Sequence, residues 1–319
     1  MRASNNFFFG IFVLLSLACE DIIEEDISGD MLQVSYPSNN AIIESNIVNF
    51  QWNGMDGADS YRIQVYSGNA MMALDSLVTA TNFAFPLSGG GYQWRVRAEN
   101  SAYESLYSFP ASFTVVESSD LTNQQVVLTS PANGFYTNIA NITCAWRQLA
   151  AADAYHFQLF NVTAGQNLVL ENDQLALTSM SLSNSSLLQE AEYQWKVRAR
   201  NADSQTAAFS SRNFYIDRTS PNQPQLGSPS NESEQTSGQP ISFVWNISPD
   251  SGPVQSPLRY TIEFSNTATF SNIMQSTPVN STSFEQAFTA AGNYFWRVRA
   301  NDQAGNLGSY SSAFKFTID

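Results

Sequence analysis

A nine-residue stretch is written three times in this chain: Tyr92-Gln-Trp-Arg-Val-Arg-Ala-Glu-Asn, Tyr193-Gln-Trp-Lys-Val-Arg-Ala-Arg-Asn and Tyr294-Phe-Trp-Arg-Val-Arg-Ala-Asn-Asp. Successive copies stand 101 residues apart, about the length of one small domain. Within each copy Tyr, Trp, Val and Ala occupy every second position, with mostly polar residues between. That period is the mark of a half-buried β-strand, because successive side chains point to opposite faces. Three small β domains follow from the spacing, and one large core does not.

Fixing that strand brings the rest of each repeat into register. Upstream lies an alternating run ending in Trp: Val48-x-Phe50-x-Trp52, Ile142-x-Cys144-x-Trp146 and Ile241-x-Phe243-x-Trp245. A third run reads Tyr61-x-Ile63-x-Val65, Tyr155-x-Phe157-x-Leu159 and Tyr260-x-Ile262-x-Phe264. Closing strands are expected at Phe113-x-Val115, Phe214-x-Ile216 and Phe316-x-Ile318. All six tryptophans (Trp52, Trp94, Trp146, Trp195, Trp245 and Trp296) fall at two of these positions, one pair per repeat, and are expected to face each other across a core. Weaker runs near 74–85, 167–182 and 273–288, with Gly, Asn, Asp, Ser and Pro in the turns, bring the count to about seven short strands per repeat. That is the pattern of a two-sheet sandwich.

The pattern resembles fibronectin type III domains: a Trp on the second strand, a Tyr on the third, and a Tyr-x-aromatic-x-Val-x-Ala-x-Asn strand near the end. The resemblance covers about residues 31–319 and implies an all-β fold of three tandem seven-stranded fibronectin type III/Ig-like sandwiches. It also implies that Tyr92, Tyr193 and Tyr294 close a corner by hydrogen bonding back to the backbone, over Leu87, Leu187 and Phe288. Trp stands where the family more often has an aliphatic residue, and no Arg-Gly-Asp tripeptide occurs; both point to bacterial modules of this kind rather than animal adhesion. No repeat carries the cysteine pair usual in immunoglobulin domains.

The N-terminus supplies an address. Met1-Arg2 precedes an apolar run from Phe7 to Ala18 and then Cys19; the run is too short to span a bilayer, which needs about 20 residues, and suits a cleaved signal peptide. Ala18-Cys19 resembles the lipobox of bacterial lipoproteins, in which the cysteine is acylated; an ordinary secretory signal is the alternative. Five acids within Glu20–Asp26 read as a solvated tether and resemble the signal that sends some Gram-negative lipoproteins to the outer face of the outer membrane. The expected organisation is a signal peptide over 1–18, a lipidated acidic tether over 19–30, and sandwiches over 31–117, 124–217 and 221–319. The first linker is polar, and Asp217-Arg-Thr-Ser-Pro-Asn-Gln-Pro is stiffened by proline. Membrane attachment is expected at the N-terminus, with the chain facing the cell exterior.

Charged residues make up 13% of the chain and the formal charge is −14, a balance that repels nucleic acid. Catalytic residues are scarce. The one histidine, His156, falls on an outward position of a strand and reads as solvated. Cys144 takes the core slot of Phe50 and Phe243. The acid pairs Asp56/Asp59 and Glu171/Asp173 read as loop residues with nothing to raise one pKa. The Asp302-Gln-Ala-Gly-Asn306 loop reads better as a turn than as a calcium site. No cofactor and no metal are expected, and no enzymatic activity.

Six basic residues, Arg95, Arg97, Lys196, Arg198, Arg297 and Arg299, stand outward on the repeated strand. Cross-strand pairing with Gln64, Gln158 and Glu263 is the expectation; a ladder for an acidic glycan is the alternative. Loop aromatics are the candidate ligand contacts, since sugar faces stack on exposed rings: Tyr103, Tyr107 and Tyr310. The long third-repeat loop, Asn246 to Arg259 with three prolines, departs from its counterparts, as binding loops do. The expected function is a surface lipoprotein whose sandwiches bind a neutral polysaccharide or a partner protein; the alternative is a passive stalk or structural subunit.

Overall fold

A computed structural model describes residues 24–319 apart from 140, 184–187 and 248. The expected signal segment, Cys19 and Leu187 lie outside the described residues. The described chain is all strands and turns, arranged as three tandem sandwiches, each a three-stranded sheet against a five-stranded one.

In the first sandwich the strands are β1 Val34–Tyr36, β2 Ala41–Ile43, β3 Ile47–Trp52, β4 Ser60–Ser67, β5 Met72–Val78, β6 Asn82–Pro86, β7 Gly90–Glu99 and β8 Ala111–Val115. One sheet runs β1-β3-β6 and the other β2-β8-β7-β4-β5. The same two orders recur in both sister sandwiches. The alternation read from the sequence is the one that is buried: Trp94, Val96 and Ala98 on β7 are fully enclosed, as are Trp195, Val197 and Ala199, and Trp296, Val298 and Ala300. The paired tryptophans meet across the sheets, Trp52 with Trp94 at 6.4 Å and Trp146 with Trp195 at 6.3 Å between ring centroids. In the third core Trp296 packs edge-on to Phe243 at 5.0 Å, and Trp245 to Tyr260 at 5.5 Å.

Eight strand segments stand where seven were expected, because the first strand is split. Pro37, Pro131 and Pro229 interrupt it, each after a cis peptide bond, and proline has no N–H to give a ladder. Beyond the break the chain crosses over and pairs in parallel with the closing strand, Ala41 opposite Phe113 and Phe135 opposite Phe214. An asparagine holds each crossover: the side-chain oxygens of Asn39, Asn133 and Asn231 accept the N–H groups of Ser112, Asn213 and Lys315 at 2.9, 2.9 and 2.8 Å. The next residue is left-handed each time, with φ of 65° at Asn40, 75° at Gly134 and 63° at Glu232. Asn and Gly tolerate that region; Glu does so less readily.

The corner tyrosines act as the family resemblance implies. The Tyr92 and Tyr294 hydroxyls donate to the carbonyls of Ser88 and Ala290, both at 2.9 Å. Tyr193 donates to Gln189 O at 3.2 Å and accepts its N–H at 2.8 Å. Leu87 and Phe288 pack on these corners, and in the second sandwich Leu188 is the buried residue. Tyr193→Phe should therefore cost the middle sandwich about 1 kcal/mol, read as a lower urea midpoint at unchanged slope; an unaltered midpoint would remove the corner's energetic role.

Two expected boundaries move. The acidic tether does not stay solvated up to residue 30: Ile27 is fully buried in the first core, and the Asn100 amide donates to Glu25 O at 2.9 Å. Ile27 follows the five acids directly, and burying it in the core offsets the cost of ordering the segment. Likewise Leu121, inside the polar linker, is buried in the second core.

The first sandwich forms one compact unit, and the second and third together form another. The joint inside that second unit is a polar network. Asp217, fully buried, donates its N–H to Thr137 O at 3.0 Å, and its carboxylate accepts from Thr219 N–H at 3.1 Å and from the N–H and hydroxyl of Ser256. Asn306 Nδ2 donates to Asp217 O at 2.9 Å, and Asn138 N–H to Ala304 O at 3.1 Å. Ser256 belongs to the long proline-rich loop, and Gly252 of the same loop lies too close to Glu190 and Thr219 to admit a Cβ. The length that set this loop apart in the sequence serves the joint.

Candidate functional site

The repeated strand pairs with its neighbour so that Gln64 stands opposite Arg95, Gln158 opposite Lys196 and Glu263 opposite Arg297. Arg95 and Arg297 bond to these partners as expected, whereas Gln158 bonds to Glu171 instead of Lys196, and Arg97, Arg198 and Arg299 stand opposite Arg62, His156 and Thr261. Arg95 Nε and Nη2 donate to Gln64 Oε1 at 3.0 and 2.8 Å. Arg297 Nε and Nη2 both reach Glu263 Oε2, at 2.9 and 2.7 Å. Arg97 pairs with Glu99 at 2.8 Å and with Glu104 at 2.5 Å.

Each of these six cations also lies against an aromatic ring. Tyr107 covers Arg95 at 4.1 Å and Arg97 at 5.0 Å, with Tyr66 on the other side of Arg95 at 5.6 Å. Phe160 faces Lys196, and Phe209 faces Arg198, both at 4.7 Å. Tyr310 covers Arg297 at 3.8 Å and Arg299 at 4.9 Å, and Phe270 closes on Arg297 at 4.1 Å. The Tyr310 hydroxyl donates to Glu263 Oε1 at 2.6 Å. Burial works to raise the Glu263 carboxyl, but the Tyr310 hydroxyl and the Arg297 guanidinium outweigh it and hold it below the usual range. Arg95, Arg97 and Arg297 are thus both stacked and hydrogen bonded. Lys196, Arg198 and Arg299 are held against rings, and Arg198 Nε and Arg299 Nε have no acceptor among the described residues.

The three candidate tyrosines therefore separate. Tyr107 and Tyr310 lie on the outer sheet face as covers for arginines. Tyr103 sits in the turn after β7, where Asn100 Oδ1 accepts its N–H at 2.7 Å, and its ring remains exposed. Tyr103 and Tyr107 belong to the first compact unit and Tyr310 to the other. The same step holds Asn201 in the second repeat, whose Oδ1 accepts from Ser204 N–H at 2.7 Å, and an aspartate in the third, where Asp302 Oδ1 accepts from the N–H groups of Gly305 and Asn306 at 2.8 Å. The Asp302–Asn306 loop is a turn whose carboxylate is taken up by its own backbone.

His156 is outward but not solvated as expected. Its Nε2 lies 2.7 Å from Glu171 Oε1 and its ring meets Phe209 edge-on at 5.2 Å, leaving the side chain 12% exposed. Glu171 and Asp173 stand on the strand Asn167–Leu175, not in a loop; Asp173 approaches Arg200 at 3.8 Å. Cys144 is fully buried in the second core, where burial pushes its thiol up and leaves it unreactive.

Sequence reasoning missed one feature, an open depression of about 520 Å³ on the outer face of the first sandwich's five-stranded sheet. Its walls come from the β4–β5 turn, the start of β7, and β8. Tyr66, Asn40, Gln93, Ser112 and Thr114 line it, whereas the Tyr92 ring turns to the core and stacks on Phe113 at 5.5 Å; none of the lining residues is charged.

No family model matches this sequence, and no curated protein was found that matches it. Among solved structures the chain is similar to the chicken CNTN1 FN1–FN3 domains, at 16% identity and a TM-score of 0.43 over 90% of this chain and 97% of that one. It is also similar to titin domains A168–A170, at 12% identity and a TM-score of 0.37 over 90% and 98%. Fibronectin(III)-like modules of Clostridium thermocellum CbhA align at 14% identity and a TM-score of 0.34, over 61% of this chain and 93% of that one.

Proposed function

We propose that this chain is a non-enzymatic surface lipoprotein, anchored through an acylated Cys19 on the outer face of a bacterial outer membrane, whose sandwiches bind a neutral polysaccharide. The observation that carries the ligand class is the covering of all six ladder cations by aromatic rings. On a chain of formal charge −14, cations held in this way do not gather acidic polymers. Uncharged polar side chains and the Tyr66 ring line the open depression on the first sandwich, and these are groups that hold neutral sugars. His156 and Cys144 have structural partners that account for them, which supports the non-enzymatic reading.

The test is retardation of the full chain in gels cast with neutral polysaccharides (laminarin, galactomannan, xylan, starch) and with acidic alginate. Retardation by a neutral member and not by alginate is expected. The passive-stalk reading draws on the hydrogen-bonded joint between the second and third sandwiches, which suits a stiff arm. It becomes the better account if no glycan retards the chain and crosslinking on intact cells recovers no partner. The anchor has its own test: Cys19→Ala is expected to abolish palmitate labelling and release the chain from membranes, and normal processing of that variant would refute lipidation.

A further inference from the structure

We infer that the saccharide site is the depression on the first sandwich and that the sister sandwiches lack it; this rests on the neutral-glycan reading above. Two glycines open the depression. Gly68 and Gly91 line it, and neither takes a left-handed conformation, so the backbone does not require glycine at either place. A Cβ on Gly91 would meet nothing within 4 Å, and one on Gly68 would meet only Gly91 O, at 3.5 Å. What the two residues contribute is missing side chains.

The sister repeats fill the same positions. Counting from the corner tyrosine, Gly91 corresponds to Glu192 and Asn293; counting from Tyr61, Tyr155 and Tyr260, Gly68 corresponds to Val162 and Thr267. Glu192 Oε1 accepts from Asn213 Nδ2 at 2.6 Å and from the Tyr215 hydroxyl at 3.3 Å, and Tyr215 stacks on Tyr136 at 4.4 Å. Asn293 Oδ1 accepts from the Thr317 hydroxyl at 3.0 Å, and Lys315 pairs with Glu232 at 2.9 Å beside it. Side chains bridge to the closing strand in both sisters, over the region that is open in the first.

The chemistry of the lining matches a sugar ring. A pyranose presents an apolar C–H face and a rim of hydroxyls that both donate and accept. The Tyr66 ring suits the first, and amide and hydroxyl side chains, which also do both, suit the second. The groups are held in place beforehand: the Tyr66 hydroxyl donates to Gln64 Oε1 at 2.9 Å, and Gln93 Nε2 to Ser112 Oγ at 3.2 Å. Fixing them in advance lowers the entropic cost of binding. The volume lies within the usual range of small-ligand sites.

The experiment compares the full wild-type chain with Gly91→Asn, which installs the third repeat's residue, with Gln93→Ala, and with Tyr103→Ala at the β7 turn. Retardation is measured in whichever of laminarin, galactomannan, xylan or starch slows the wild type. Gly91→Asn and Gln93→Ala are expected to weaken retardation by about tenfold or more with an unchanged melting temperature, while Tyr103→Ala binds normally. Full binding by both depression variants would overturn the inference and leave the glycan reading standing, as would loss confined to Tyr103→Ala. A wild type slowed by none of the four would overturn both.

Discussion

Trp195→Ala is expected to unfold the middle sandwich. The side chain is fully buried, 6.3 Å from Trp146 and 6.2 Å from Phe157, at the centre of the second core. Emptying such a site costs about 3–5 kcal/mol, against about 5–15 kcal/mol for the stability of a whole domain. The first sandwich, a compact unit by itself, should keep its own transition in calorimetry. The third should melt slightly earlier, because it loses the docked partner that Asp217 and Asn306 tie to it. Trp195→Phe should cost much less, since the indole N–H has no acceptor among the described residues. Disappearance of the first sandwich's transition along with the second would show that the repeats do not fold as these units.

The next largest effect is expected at Glu263. This carboxylate is 7% exposed and takes both nitrogens of Arg297 and the hydroxyl of Tyr310. Glu263→Ala strands a guanidinium held between Phe270 and Tyr310, at a cost of about 3 kcal/mol; that is the low end for a broken buried pair, because Arg297 keeps 23% of its side chain in water. Tyr310→Phe keeps the ring on both arginines and loses one hydrogen bond, about 1 kcal/mol. The pH dependence follows from the depressed carboxyl. Its contribution is complete above the unfolded glutamate value of about 4.3 and is lost as pH falls through the lower folded value. Urea melts of wild type and Glu263→Gln should therefore converge in acid; a gap that persists or widens there would contradict the ion-pair account.

The cores and the strand order were legible because burial writes itself as period two. Trp, Tyr, Val and Ala recur in register three times, and the bonds of Arg95 to Gln64 and of Arg297 to Glu263 followed from counting along paired strands. The split first strand was signalled by Pro37-Ser-Asn39, Pro131-Ala-Asn133 and Pro229-Ser-Asn231, a motif whose meaning emerges only when the asparagine is seen bonding across to the closing strand. Tyr107 and Tyr310 looked like free loop rings because a sequence does not say which way a loop folds; here both fold back onto arginines 10 to 13 residues earlier. Ile27 was hidden directly behind an acidic run, where five charges in seven residues read as solvated chain. The depression was hardest of all to read, since it is made by Gly68 and Gly91, residues that announce turns and not absent side chains.

The salt dependence of glycan retardation tests the central claim most directly, because it asks whether charge takes part in binding at all. Between about 0.1 M and about 1 M salt the screening length shrinks from about 10 Å to about 3 Å, enough to release a polymer held by exposed cations. With the six ladder cations stacked and the depression uncharged, retardation of the full chain by a neutral polysaccharide should be the same at both ends of that range, with none by alginate at either. Retardation by alginate at low salt that vanishes at high salt would mean that the arginines bind outward, and would contradict the account.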